Sequence, residues 1–157
     1  MPALIECCDL IVCGKGDASD IMGINPLTEK AGFVSVCKQI QEKFPRVKTI
    51  INTKRGQESA SVNTITGNCW NGTELIKSKT LEVRDIVDRI GGGDAFIAGF
   101  IYGKIMEKDD QNALEFAVAA SALKHTIVGD ANLVTVAEIE EVVRGEAIGR
   151  IDRKSVV

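Results

Sequence analysis

An excess of basic residues, a long apolar run and paired metal ligands are all missing from this 157-residue chain, and each absence removes a class of function. Lys and Arg number 19 against 22 Asp and Glu, for a net charge of -3. The basic residues are not clustered, so a nucleic-acid surface has no electrostatic support. No apolar stretch approaches the ~20 residues that a bilayer-spanning helix needs. The opening MPALIECCDLIVC is apolar but carries Glu6 and Asp9 and lacks a basic leader. It reads as a helix end running into a buried strand, not as a signal peptide. With one histidine and no CxxC pair, zinc finds no ligand set, and no residue is assigned to a metal. Cys7, Cys8, Cys13, Cys37 and Cys69 are odd in number and irregularly spaced, which argues against a disulfide framework. They are expected to be small buried thiols in a reducing cytoplasm.

What remains is an ordinary globular balance, 45% hydrophobic and 26% charged, in a length that suits one domain with a sizeable core. There is no internal repeat, low-complexity segment or linker. The run 9–13 reads as a buried strand entering a loop at Gly14 and Gly16. Residues 26–44 repeat apolar side chains at helical intervals (Ala31, Val34, Ile40, Phe44), with Asn25 as cap, Pro26 in the first turn and Pro45 as the stop. Residues 47–53 read as a second strand. Strand, helix, strand is the pattern of a parallel α/β sheet.

The character then changes. Asn71-Gly72 between two alternating stretches predicts a hairpin of 64–70 with 73–77, followed by an extended piece over 81–87. Helices are expected over 95–108, 111–126 and 136–144, the last capped by Thr135 with Glu138 three residues on. Residues 128–132 read as a loop and 150–157 as a loose tail.

The informative stretch is Asp88-Arg89-Ile90-Gly91-Gly92-Gly93-Asp94-Ala95-Phe96-Ile97-Ala98-Gly99-Phe100. Three glycines let a backbone approach a ligand closely. The first amides of the helix that follows have no partner inside it, and with the helix dipole they attract a phosphate-like anion. Asp94 is out of place if the loop only binds anions. A carboxylate beside a phosphate is repelled by about 4 kcal/mol for unit charges ~4 Å apart at an effective dielectric near ~20. A carboxylate that removes a proton from an attacking hydroxyl, beside donors that neutralise the transferred group, accounts for the placement. Taken alone, Gly-Gly-Gly-Asp also reads as an aspartate capping a helix after a tight turn.

The run through Ala98-Gly99 resembles the second signature of ribokinase-like (PfkB-type) sugar kinases, tightly over residues 80–135 and loosely elsewhere. The resemblance implies the C-terminal portion of a ribokinase-like three-layer αβα sandwich, with part of the sheet and the lid missing. It implies an anion hole at Gly91, Gly92 and Gly93 and a catalytic base at Asp94. Arg89 stands where many members have threonine. That variant, with the helix 114–126 and the run Gly129-Asp130-Ala131-Asn132-Leu133-Val134, is similar to the branch acting on 2-keto-3-deoxygluconate.

The implied activity is transfer of the ATP γ-phosphate, with Mg2+, to a hydroxyl of a sugar or sugar acid such as 2-keto-3-deoxygluconate. The resemblance puts Lys124, His125 and Asn132 near the nucleotide and lets Asp130 touch the sugar acid. For His125 a packing role, and for Asp130 a turn role, compete with those assignments. Lys54-Arg55-Gly56 loosely resembles the family's nucleotide loop; a solvated turn is the other reading. Residues 14–18 lie where the family's Asn and Glu help organise magnesium, and neither residue type is there. Members are about twice this long, so self-association or pairing with a missing N-terminal half is expected. The alternative function is a non-catalytic nucleotide-binding remnant or interaction module. A dinucleotide-binding domain is disfavoured, because the GxGxxG spacing fails.

Overall fold

The two apolar runs of the first half find one another. Leu10–Val12 (β1) lies parallel to the start of Thr49–Gln57 (β2), with Leu10 opposite Thr49, Ile11 opposite Ile50 and Val12 opposite Ile51. Parallel neighbours need a crossover. Two helices lie in it, Lys15–Met22 (α2) and Gly32–Lys43 (α3), after a four-residue opening helix Pro2–Ile5 (α1). These positions come from a computed structural model that describes residues 2–28, 32–57, 62–84 and 86–145. The expected tail at 150–157 lies outside the described residues.

The strand–helix–strand expectation holds, with corrections at the edges. β1 is half-buried, not buried; it ends the strand order and leaves Val12 44% exposed. α2 takes the place of a predicted loop. Asp17, at its third position, accepts the Gly14 N–H at 2.7 Å, and Gly23 closes the helix at φ 68. α3 begins at Gly32, not at Pro26. The Leu27 N–H is spent on the Ser35 hydroxyl (3.2 Å), and the Gln39 amide donates to the Asn25 carbonyl (2.8 Å). Residues 25–27 therefore lie against the side of the helix and do not form its first turn.

The chain after β2 forms Val62–Trp70 (β3), Leu75–Lys77 (β4) and Leu81–Arg84 (β5). Strands pair in the order β1-β2-β3-β4, and β5 runs antiparallel to β3, so the sheet is mixed. The predicted hairpin turn is present. Gly72 sits at φ 99, and the Asn71 side-chain oxygen accepts the Thr73 and Glu74 N–H groups at 3.1 and 3.0 Å. The extended piece ends earlier than 87, because the Val87 N–H donates to the His125 carbonyl (2.9 Å) and leaves the strand ladder.

The chain divides into two compact units, one from the residues up to Asn52 with Asn68–Ile76, the other from Thr53–Gly67 with the described residues from Lys77 on. In the first, Val36, Cys37 and Ile40 of α3 pack with Met22, Phe44, Val47, Ile50 and Trp70. In the second, Asp110–Lys124 (α5) and Val136–Arg144 (α6) carry the core of Phe116, Ala119, Leu123, Ile139 and Val142, and Gly92–Ile105 (α4) packs Tyr102 against it. α4 and α5 approach unusually closely: a Cβ on Gly99 would stand 2.9 Å from the Ala117 Cα, and one on Gly103 2.8 Å from the Ala113 Cα. Any larger side chain at either position overpacks this seam. α6 opens with the expected reciprocal cap, the Thr135 hydroxyl accepting the Glu138 N–H (3.3 Å) and the Glu138 carboxylate accepting the Thr135 N–H (2.6 Å).

None of the five cysteines is in a disulfide. Cys13, Cys37 and Cys69 are buried, and burial pushes Cys13 up to about 11 and Cys37 up to about 12. Cys7 and Cys8 correct the expectation, being exposed and half-buried where the chain passes from α1 to β1. Among the described residues no helix is long and apolar enough to cross a membrane.

Candidate active site

The site grows from the turn into α4, and each of its glycines has a different physical reason. Gly91 sits at φ 79, and a Cβ there would collide with the backbone carbonyl of Asp130, so both dihedral and space demand glycine. Gly92 rests on His125: a Cβ would stand 2.6 Å from the ring Cε1. The buried Ser121 hydroxyl also donates to the Gly92 carbonyl at 2.8 Å. Gly93 has open space where a side chain would be. The upstream Asp88 fixes the turn from outside. Its carboxylate accepts N–H groups from Ile90 and Gly129, both at 3.0 Å, and these bonds hold its pKa below the usual carboxylate range.

The helix starts at Gly92 rather than after Asp94, which corrects the expected boundary and places Asp94 in the first turn. The Ala95 N–H closes onto the Gly91 carbonyl (2.9 Å), and the Gly92 N–H makes a long contact with the Arg89 carbonyl (3.5 Å). The Gly93 and Asp94 N–H groups donate to nothing among the described residues. They are two of the unspent amides that every helix start leaves. Asp94 itself is exposed, and its carboxylate carries no hydrogen bond among the described residues.

Beside this turn opens a cavity of about 440 Å³. Gly91, Asp94, Asp130 and Asn132 contribute backbone and polar groups, while Ala98, Gly99, Tyr102, Phe116, Val134 and Ile139 make most of the wall apolar. The Tyr102 and Phe116 rings are stacked, 5.1 Å between centroids. An apolar wall of this size with a few convergent polar groups at one end is the ordinary form of a small-molecule site.

A pfkB family carbohydrate kinase model matches residues 1–136. The chain belongs to the pfkB carbohydrate kinase family. Within it, the 2-dehydro-3-deoxygalactonokinase of Haloferax volcanii is 45% identical over 69 residues, which are 44% of this chain and 21% of that protein. The 5-dehydro-2-deoxygluconokinase of Bacillus licheniformis is 26% identical over 140 residues, 87% of this chain and 38% of that protein. The crystal structure of 2-dehydro-3-deoxygluconokinase from Thermotoga maritima superposes with a TM-score of 0.82 at 32% identity, covering 91% of this chain and 44% of that one. This pfkB chain thus has the α/β fold of the ribokinase-like kinases and spans less than half the length of each of these relatives.

The structure sorts the sequence-based site residues of this pfkB chain into groups. Gly91, Asp94, Asp130 and Asn132 line the large cavity. Arg55, Gly56 and His125 line a smaller one. Lys54 and Lys124 line neither. Lys124 is fully buried and gives its ammonium to the Ile127 carbonyl at 2.9 Å. Lys54-Arg55-Gly56 is not a turn but part of β2, with Gly56 placed so that a Cβ would meet the Thr64 hydroxyl at 2.5 Å. His125 is 2% exposed, and its ring Nδ1 stands 2.6 Å from the Ser121 carbonyl. A carbonyl can only accept, so Nδ1 carries the proton. Burial first, then nearby cations, holds the His125 pKa below its ordinary value. Tyr102, Phe116, Ser121 and Asn63 were missed. Aromatic and small residues on a helix read as core, and one Asn in a strand carries no signal.

Proposed function

We propose that this chain carries the phosphoryl-transfer centre of an ATP-dependent sugar kinase whose acceptor is a hydroxyl of a sugar acid such as 2-keto-3-deoxygluconate. One juxtaposition supports the reading above all: the unspent N–H groups of Gly93 and Asp94, an exposed carboxylate on the same turn, and a large apolar cavity beside them. In this reading Asp94 accepts the proton of the attacking hydroxyl. The Gly93 and Asp94 amides, with Gly93 open to approach, hold oxygens of the group in transfer. Tyr102, Phe116 and the small residues of α4 give a base or sugar ring an apolar seat, and Asn132 supplies a polar atom at its edge. Asp130 lines the same cavity, and in this reading it touches the sugar acid. The nucleotide, when bound, supplies the activated phosphoryl group.

Among the described residues no three His, Cys, Asp or Glu gather to hold a metal ion. Mg2+ therefore fits this chain only as a companion of nucleotide phosphates, with water filling most of its shell. Because the relatives named above are more than twice as long, turnover is expected of the chain associated with itself or with a segment supplying the rest of the fold. A cell interior that supplies ATP and keeps five thiols reduced suits it.

A second reading, a nucleotide-binding remnant without turnover, draws on the same shortfall in length and on Gly14–Ala18. There Asp17 caps its own helix, and the Asn and Glu of the family pattern are absent. Calorimetry with ATP beside a coupled kinase assay on 2-keto-3-deoxygluconate separates the two. Binding with turnover is expected; binding without turnover selects the remnant.

A further inference from the structure

The turn into α4 has no side chains between Ile90 and Asp94, so what holds it must come from elsewhere. Glycine backbone is the freest in a chain, and helix ends fray. The anchors come from α5 and its cap residue, in the same compact unit. The His125 carbonyl accepts the Val87 and Asp88 N–H groups at 2.9 and 3.2 Å. Its ring fills the space where a Gly92 side chain would stand. One helical turn earlier, Ser121 is 2% exposed and stands among alanines. A serine inside a helix commonly turns its hydroxyl back onto the carbonyl four residues earlier. Ser121 donates instead to the Gly92 carbonyl, at 2.8 Å. That carbonyl and the Gly93 N–H are two ends of one planar peptide group. A hydrogen bond received at the oxygen holds the plane and polarises the N–H, making it a stronger donor. The Gly93 N–H is one of the two that the turn leaves unspent.

We propose that Ser121 is a positioning residue for phosphoryl transfer: through the Gly92–Gly93 peptide it aims and strengthens the Gly93 N–H toward the oxygens of the group in transfer. Ser121 does not line the cavity beside the turn, so it acts from behind and touches no ligand. The proposal rests on the phosphotransfer reading above and adds to it a buried residue that the reading does not use. Preorganised donors act most strongly where charge develops, so the loss of this hydroxyl falls on the transition state more than on bound ATP.

The test compares Ser121→Ala with the wild type in the full 157-residue chain. Alanine suits a helix already rich in it, so the variant is expected to fold. Ser121→Cys, close in size and a weak donor, serves in its place if it does not. In the coupled assay with ATP and 2-keto-3-deoxygluconate, kcat is expected to fall about tenfold while the KM for ATP changes less than about threefold. A packing role alone would lower the melting temperature and leave kcat of the folded protein unchanged. Amide NMR gives a second readout that needs no turnover. Loss of the bond should move the Gly92 carbonyl carbon upfield. Saturating ATP should then shift the Gly93 amide proton less than in the wild type, while the Asp94 amide responds alike in both. Unchanged kcat, or an equal Gly93 response in the two proteins, overturns the proposal. If the wild type binds ATP without turnover, the kinase reading fails on its own and the Gly93 response alone decides the role of Ser121.

Discussion

Asp94→Asn is expected to lower turnover by about 10²–10⁴-fold, the usual span for a lost general base. The substitution keeps the size of the side chain and removes its charge and its capacity to take a proton. Nucleotide affinity should hold or rise. The wild-type carboxylate sits in the same helical turn as the two unspent amides, where it repels the anion they attract. Structural damage is not a competing explanation. The side chain is exposed and carries no hydrogen bond among the described residues, so the fold should be stable within about 0.5 kcal/mol, as for surface substitutions generally. Turnover from the coupled assay and ATP affinity from calorimetry therefore split. Full activity in the variant removes Asp94 from the proton-transfer role.

The second large effect is expected at Gly91. Gly91→Ala meets both a left-handed backbone at φ 79 and the carbonyl of Asp130 in the space the methyl would need. Strain of this kind costs on the order of 1–3 kcal/mol, and the clash with backbone cannot be relieved by a rotamer change. Chemical denaturation should show a loss of about 3 kcal/mol, together with weakened ATP binding as the turn shifts. Gly93→Ala is the contrast. No atom stands within 4 Å of its added Cβ, and the position is helical, so stability should rise by about 0.5–1 kcal/mol. ATP affinity should nonetheless fall, because the methyl occupies the open side from which a phosphate reaches the amides. Stability and binding moving in opposite directions at Gly93, and together at Gly91, would separate a scaffold glycine from an access glycine.

Much of the fold could be read from the chain because its local signals agree with its long-range contacts. The Asn71-Gly72 turn, the Thr135–Glu138 cap and the alanine-rich α5 each combine a local preference with a matching apolar face. The errors fall where one local signal is outvoted. Gly14 and Gly16 read as loop, yet Asp17 turns Gly14 into a helix start. Lys54-Arg55-Gly56 read as a loop after a strand, either a nucleotide loop or a solvated turn, but β2 continues through Gln57, and the small Gly56 admits the Thr64 side chain beside it. Pro26 read as a helix start, but the side chains of α3 capture the backbone of 25–27 instead.

At the site, the glycine turn and Asp94 stood out because their residue types conflict unless chemistry reconciles them. Asn63 and Arg89 could not be joined from sequence. Their meeting depends on β3 and the loop before α4 converging on one cavity, and no spacing along the chain encodes that.

The most direct test is amide NMR of the chain during an ATP titration, with Gly93 and Asp94 assigned. Hydrogen bonds to phosphate oxygens should move both amide protons downfield in step with saturation, and more than the amides of Ala95 or Phe96, whose partners lie within the helix. Saturation with both protons unmoved would mean that these amides do not receive the phosphate, and the account of this turn as a phosphoryl-transfer site would be wrong.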